Sequence, residues 1–301
     1  MKGFILCSIC IFLVLPGFSQ TDSIPAVVAD TTKDSVQLVI QPPEVKAIPD
    51  KKEHVYKIKP AIDIPIVVAG TGWSVYAFSK LYTKGASTEA EILSLRTSDI
   101  NAFDRSAVRP YSKSIDRVSY YPFYIAMPLP FVFLLTGKKT RSDFLELSFL
   151  YWETMSVTGL FGTGATYFVD RYRPYTYNNE TPMDQRRVQN SKNSFYSGHV
   201  EVVAASTFFI AKVYADYYPN SKMKWVFYGV ATAATAGMGY LRYEGGMHFP
   251  SDILLGSAMG ALAGILVPHF HKHKLIRNPD LSIMPYTNDE TKGFILTYRL
   301  K

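Results

Sequence analysis

Three short stretches of the chain hold residue types that can act together on an anion. Arg171, Tyr172, Arg173 and Pro174 form the first, and Tyr196, Ser197, Gly198 and His199 the second. The third runs from Leu241 to Asp252 and holds Arg242 and His248. In it, Pro250, Ser251 and Asp252 read as the first turn of a helix, where proline is tolerated and an acid suits the positive helix end. A spacing of four puts His248 and Asp252 on one face. A carboxylate beside an imidazole fixes its tautomer and turns the other ring nitrogen outward as a nucleophile or base. Gly245 and Gly246 let the chain bend tightly before the histidine.

Taken together, these groups describe a phosphate site. Arginine clamps a phosphate bidentately, and helix N-termini offer free N–H groups to an anion. Ser197 adds a hydroxyl, Gly198 an amide, and the two histidines a nucleophile and a proton donor. Each stretch also has a plain structural use: Arg173-Pro174 as a helix stop, Ser197 as an N-cap, His248 as a surface residue near a capped helix. Their joint order and spacing argue against chance.

Helices must hold these stations. Residues 64–79, 118–137, 225–241 and 253–268 carry no charge, 145–169 is apolar apart from Glu146, Glu153 and its flanks, and 200–214 is amphipathic. This pattern predicts an all-α fold, an antiparallel bundle of about six core helices. The ends of the third and fifth helices and the starts of the fourth and sixth then share one side, where the three stretches converge. Gly256, Gly260 and Gly264, four apart, predict a close approach of helix backbones. Helical character around 87–96 precedes the bundle. Residues 284–300 alternate around Asn288-Asp289, which suggests a short C-terminal β-hairpin.

The 301 residues suffice for one large domain, and a formal charge of +7 is scattered rather than massed. No nucleic-acid partner is expected; anionic phosphates or an anionic membrane surface fit better. Residues 1–19 read as a signal peptide, with a lysine, a short apolar run and small residues at Gly17 and Ser19. Both cysteines, Cys7 and Cys10, fall inside it, so disulfides and thiolate metal sites are excluded from the mature chain. Residues 20–60 read as a polar linker or arm and 61–117 as an N-terminal helical region. A catalytic domain over 118–270 and a basic tail over 271–301 complete the division. His269, His271 and His273 beside Lys272 and Lys274 read as a basic helix end rather than a metal site.

The three stretches resemble the signature of the type 2 phosphatidic acid phosphatase and vanadium haloperoxidase superfamily: K-x6-R-P, then P-S-G-H, then S-R-x5-H-x3-D. Here they stand as Thr166-x6-Arg173-Pro174, Tyr196-Ser197-Gly198-His199 and Leu241-Arg242-x5-His248-x3-Asp252. The resemblance covers about residues 118–270 and departs at Thr166 (lysine in the family), Tyr196 (proline) and Leu241 (serine). Carried over by position, it implies that His248 is the nucleophile forming a phosphohistidine, with Asp252 orienting it. His199 would protonate the leaving oxygen. Arg173, Arg242, Ser197 and the Gly198 amide would hold the phosphate. It implies no cofactor, and no metal for hydrolysis.

The resemblance implies an extracytoplasmic phosphatase acting on a phosphomonoester or pyrophosphate, with the apolar helices pointing to a phosphorylated lipid. Competing expectations are a soluble periplasmic acid phosphatase, a vanadate-dependent haloperoxidase, and a member that binds phospholipid without turnover. Aromatics such as Tyr172, Tyr175, Tyr177, Phe195 and Tyr196 can line an entrance for an acyl chain or serve packing. Pro65, Gly70 and Gly72 make 64–79 a poor membrane span, so it is expected on the outer surface with five spans following from Val118. Lys138–Arg141, Lys222–Lys224 and Lys272–Arg277 then fall on the cytoplasmic side and the catalytic loops outside. A wholly periplasmic soluble bundle is the alternative.

Overall fold

The computed structural model describes residues 54–272, 281–287 and 292–298. The expected signal peptide and most of the polar arm lie outside them. The described chain is all-α apart from one hairpin. Its helices are α1 (Pro60–Leu81), α2 (Glu89–Ser94), α3 (Lys113–Ala126), α4 (Leu129–Thr136), α5 (Lys138–Ser142) and α6 (Phe144–Phe168), then α7 (Met183–Arg186), α8 (Gly198–Tyr217), α9 (Met223–Glu244) and α10 (Pro250–Phe270). Strands β1 (Leu281–Thr287) and β2 (Lys292–Tyr298) pair antiparallel, with Met284 opposite Ile295.

The long helices α1, α6, α8, α9 and α10, with α3 and α4 in series, make the bundle. Pro128 separates α3 from α4, so the uncharged run 118–137 is two helices rather than one. Helix α8 is the centre, packed against α6, α9 and α10. The expected glycine stripe does what its spacing asks. A Cβ on Gly256, Gly260 or Gly264 would lie 2.6, 2.2 or 2.5 Å from the carbonyl oxygens of Ser197, Glu201 and Ala205. Four-residue steps on α10 thus match four-residue steps on α8, backbone against backbone.

The proline and glycines of 64–79 do not make it a poor span by length or apolarity. Residues 60–81 form one continuous helix, α1, packed along α6. Pro60 takes the first helical position, where its missing N–H costs nothing, and Pro65 forgoes a single early bond. Gly70 is a packing device: a Cβ there would lie 2.8 Å from the Ser156 carbonyl oxygen on α6. Among the described residues, three segments are long and apolar enough to cross a membrane: Pro60–Leu81, Lys113–Thr136 and Pro250–Phe270. Exposed Val68, Val75, Phe78, Ile125, Val132, Leu254 and Leu262 give them apolar outer surfaces.

The two ends of the bundle are tied differently. At one end, Tyr56 bridges to Lys272, and Lys57 N–H donates to the His271 carbonyl (2.8 Å). At the other end α1, α6 and α9 finish and α3, α8 and α10 begin. The loops there are stitched by Arg171–Asn193 bridging, Tyr175 N–H to Gly246 O (3.1 Å) and Ser197 N–H to Asp252 O (3.2 Å).

Candidate active site

That second end brings the three stretches together. Arg173 leaves α6 as the residue before Pro174, and its guanidinium turns inward, 6% exposed. It donates through Nε to Asn190 O (2.9 Å) and through Nη1 to Met247 O (2.9 Å). Nη1 also lies 3.1 Å from His248 Nε2. The opposite ring nitrogen, Nδ1, sits 2.8 Å from the Ser194 carbonyl oxygen. A carbonyl only accepts, so Nδ1 carries the proton and Nε2 the lone pair. Burial, then the charges of Arg173, Arg242 and His199, push the His248 pKa well below the ordinary histidine value. The ring is therefore neutral, its lone pair directed at Arg173.

Gly246 makes this placement possible. It adopts φ +71°, and a Cβ would lie 3.1 Å from Pro110 O. The turn delivers Met247 and His248 into the site in a conformation that other residues resist.

Asp252 begins α10 as the sequence predicts, but it does not hold the histidine directly. Its Oδ2 is 4.0 Å from His248 Nδ1. Oδ2 instead accepts from Ser194 Oγ (2.6 Å) and Phe249 N–H (3.1 Å), and Oδ1 accepts from Arg171 Nη1. Asp252 and His248 thus both grip Ser194, one through its hydroxyl and the other through its carbonyl. Arg171 continues the chain, donating to Ser251 Oγ (2.9 Å) and Asp104 Oδ2 (2.8 Å) and covering the Phe249 ring at 4.3 Å. Burial works to raise the Asp104 carboxyl, and hydrogen bonds from Ser251, Asn101 and Arg171 outweigh it, leaving the group below its ordinary range.

Arg242 is 1% exposed near the end of α9. Its Nη1 donates to Asp116 Oδ1 (2.7 Å) and Ser119 Oγ (2.7 Å) on α3. His199, in the first turn of α8, packs edge-on against Tyr120 at 4.9 Å and against Phe123 at 4.6 Å. Three buried polar atoms from these motifs find no hydrogen-bond partner among the described residues: Ser197 Oγ, His199 Nε2 and Arg242 Nε. Ser197 stands at the N-cap of α8, yet its hydroxyl caps nothing. Gly198 opens that helix, and a Cβ there would meet nothing within 4 Å.

The three departing positions resolve differently. Thr166 is buried and donates to Gly162 O (2.9 Å). Its own carbonyl accepts from Lys84 Nζ (2.9 Å), which also pairs with Asp170 Oδ1 (2.6 Å). A lysine from the loop after α1 is thus drawn to this turn of α6. Tyr196 donates to Glu201 Oε1 (2.6 Å), and burial followed by Glu201 pushes its phenol pKa far up. Leu241 lies on α9 before Arg242. The basic residues of 175–195 are committed elsewhere: Arg186 to Thr176 O, Arg187 to Ser87 O, Lys192 toward Glu91.

Sequence reading misses Asp104, Asp116, Ser119, Ser194 and Lys84. Asp116 had one available signal, an acid in the first turn of a helix. The others sit in loops or on a helix face with no spacing to mark them.

The model of the PAP2 superfamily matches residues 148–276. No curated protein matches the chain. Among solved structures it is similar to the first transmembrane PAP2 type phosphatidylglycerolphosphate phosphatase from Bacillus subtilis, at 22% identity and a TM-score of 0.43. That likeness covers 72% of this chain and 98% of the other. The matched stretch contains every residue of the three motifs and leaves out Lys84, Asp104, Asp116 and Ser119, which hold them.

Proposed function

Residues 148–276 belong to the PAP2 superfamily, and from that premise we propose that the chain is a phosphatase seated in a membrane, acting on a lipid phosphate. The family match and three helices of spanning length support the membrane phosphatase. The observation that carries the reaction is the set of buried, unpartnered atoms Ser197 Oγ, His199 Nε2 and Arg242 Nε at the end of the bundle that holds the neutral His248 beside Arg173. Buried polar groups without partners are rare and need a reason. One phosphoryl group between them supplies it.

In this reading the phosphate oxygens take the Arg173 and Arg242 guanidinium groups, Ser197 Oγ and the Gly198 N–H. His248 Nε2 attacks phosphorus. The N–P bond forms as the bond to the leaving oxygen breaks, and His199 gives that oxygen a proton. Burial and the charges of Arg242 and Arg173 hold His199 neutral before phosphate binds, so it takes up that proton with the phosphate, whose negative charge offsets the two arginines. Water then attacks the phosphohistidine, His199 takes the water's proton, and the N–P bond breaks to free phosphate and His248. Donors fixed before the reaction stabilise the charge that shifts onto the equatorial oxygens. Apolar outer surfaces on α1, α3 and α10 suit a substrate that arrives from the bilayer.

The site faces outward in this reading. With α1 as a span, residues 54–59 and 271–272 lie at one end and the site at the other. Lys138, Lys139, Arg141, Lys222, Lys224 and Lys272 share the end away from the site. The longer loops at the site end, 82–112 and 169–197, carry lysines and arginines too, so the assignment of the far end to the cytoplasm rests on its short loops, where the positive-inside rule is counted. A secretory signal cleaved after residue 19 would instead start α1 outside and turn the site inward. Reporter fusions after Lys224 and after Gly246 test this: an exported reporter after Lys224 rejects the outward site.

The reaction is tested on the purified full chain in detergent. Phosphate release is measured from phosphatidic acid, phosphatidylglycerol phosphate, an isoprenyl pyrophosphate and p-nitrophenyl phosphate. Turnover of a lipid phosphate, competitive inhibition by orthovanadate and loss of both in a folded His248→Ala variant are expected. Near wild-type release by His248→Ala overturns the mechanism.

A further inference from the structure

Away from the catalytic end, three ionisable side chains from three helices meet in the interior. Asp63 of α1, Glu153 of α6 and His271 at the C-cap of α10 are 3%, 3% and 9% exposed. His271 Nε2 lies 3.2 Å from Asp63 Oδ2 and 3.3 Å from Glu153 Oε2. One donor atom from each residue falls within 4.8 Å of the other two. The three line a cavity of about 500 Å³ whose other walls are Lys59, an exposed residue, and apolar residues such as Ile66, Phe161 and Leu262. Counting along α10, His271 is 19 residues from Asp252, or about 29 Å at the rise of a helix, so this is not an extension of the phosphate site.

We propose that Asp63, Glu153 and His271 bind a divalent transition-metal ion, such as Zn²⁺ or Mn²⁺, that fastens α1, α6 and α10 together. Two donors bonded to one such ion at about 2.1 Å sit roughly 3.0–3.4 Å apart, which is the spacing found on both sides of His271 Nε2. His271 Nδ1 is 2.8 Å from Val267 O. That bond to a carbonyl fixes a proton on Nδ1, the arrangement that orients metal-bound histidines. Nε2, which faces the two carboxylates as an N–H, gives up its proton to the ion that takes its place. Glu153 is buried and lines the cavity, and among the described residues its Oε2 meets only His271 Nε2, as an ion-pair contact without hydrogen-bond geometry. Asp63 is preset by its own helix, since its Oδ2 accepts from Lys59 N–H.

Charge favours the same answer. Two buried carboxylates with a neutral imidazole carry two negative charges in an apolar setting, a costly state. A proton on the imidazole leaves one negative charge. A divalent ion leaves none. An imidazole and two carboxylates are mixed nitrogen and oxygen donors, which suit Zn²⁺ or Mn²⁺ better than the all-oxygen preference of Ca²⁺ or Mg²⁺.

The test uses the full chain in detergent, stripped with a chelator, dialysed and then given Zn²⁺ or Mn²⁺ alone. Bound metal is counted by mass spectrometry, and Tm is followed with and without the ion. We expect about one ion per chain with a higher Tm. Both effects should be lost in Glu153→Gln and in His271→Gln, while phosphate release in those variants stays near wild type and reports an intact fold. Absence of stoichiometric metal in the wild-type chain overturns the proposal and leaves the trio a proton-bridged ion pair. Binding that survives both substitutions also overturns it, and assigns the ion to other residues such as His269 or His273.

Discussion

Asp252→Asn separates the charge of this carboxylate from its hydrogen bonds. Oδ1 accepts from Arg171, and Oδ2 accepts from Ser194 Oγ at 2.6 Å and Phe249 N–H at 3.1 Å. The His248 proton goes elsewhere: Nδ1 is 2.8 Å from Ser194 O and 4.0 Å from Asp252 Oδ2. Where a triad aspartate accepts directly from the imidazole, the same change upsets the tautomer and costs about 10⁴ in kcat. Here the tautomer rests on a backbone carbonyl that the substitution leaves in place. The charge remains to be counted. When Nε2 bonds phosphorus the ring becomes positive, and a unit charge about 4 Å away contributes about 4 kcal/mol at an effective dielectric of about 20. That sets an upper limit of about three decades in rate. Arg171 stays beside position 252 and cancels part of the field, so we expect kcat to fall about 10²-fold.

Ground-state binding should move the other way. Removing a negative charge near an anion site favours the anion, so the inhibition constant for inorganic phosphate should stay level or fall. The amide also leaves one donor facing another donor, at a stability cost of about 1.5–3 kcal/mol for the lost charged hydrogen bond. The assay is steady-state phosphate release with phosphate inhibition, beside a thermal melt to certify folding. A fall of about 10⁴ or more in kcat, together with collapsed phosphate affinity in a folded variant, would refute the reasoning. It would mean that Asp252 accepts from Nδ1 in the working enzyme.

Thr166→Lys should raise kcat/KM several-fold, because it restores a cation to α6 while Asp170, the nearby acid, is already engaged by Lys84; steady-state kinetics with no gain would show that charge at 166 is not limiting. Gly260→Ala places a methyl 2.2 Å from Glu201 O and 2.7 Å from Ala204 Cβ, so it should cost about 1–3 kcal/mol and lower Tm; an unchanged Tm would contradict the α8–α10 contact. His248 has a depressed pKa when folded, so below the ordinary histidine value the unfolded chain binds the extra proton and stability rises with pH until about 6.5. Wild type should therefore lose more Tm than His248→Gln between about pH 7.5 and pH 5, and equal losses would remove His248 from that balance.

Much of the site is legible in the sequence because it depends on helix ends. Pro250 and Asp252 announce the start of α10, and Arg173-Pro174 the stop after α6. The order of apolar segments places these ends on one side. The glycine stripe is legible for the same reason, since a period of four belongs to one face of one helix. What stays hidden is contact between distant segments. Nothing around Asp104 shows that it meets Arg171 and Ser251, and no period links Lys84 to Thr166. Pro65, Gly70 and Gly72 argue against a span over 64–79 only when read by residue type; in α1 Pro65 sits in an early turn and Gly70 lets α6 approach. His271 read as part of a basic run because its neighbours in sequence are basic. Its neighbours in space, Asp63 and Glu153, are acids.

The arginines divide the work of the site by what already neutralises them. Arg171 pairs with Asp104 and Asp252, two carboxylates for one cation, and so serves as a brace. Arg242 pairs with Asp116 through Nη1 and keeps Nε unpartnered, half brace and half ligand. Among the described residues Arg173 forms no ion pair; its partners are carbonyls, the Asn190 side chain and the His248 lone pair. Its charge is therefore the one that an incoming phosphate can claim in full. In the proposed mechanism, Arg173 Nη1 stays against His248 Nε2 until a phosphate draws the guanidinium onto its own oxygens and frees that lone pair to attack. Binding and activation are then one movement over about 3 Å, with Arg171, Asp104 and Asp116 fixing the frame around it.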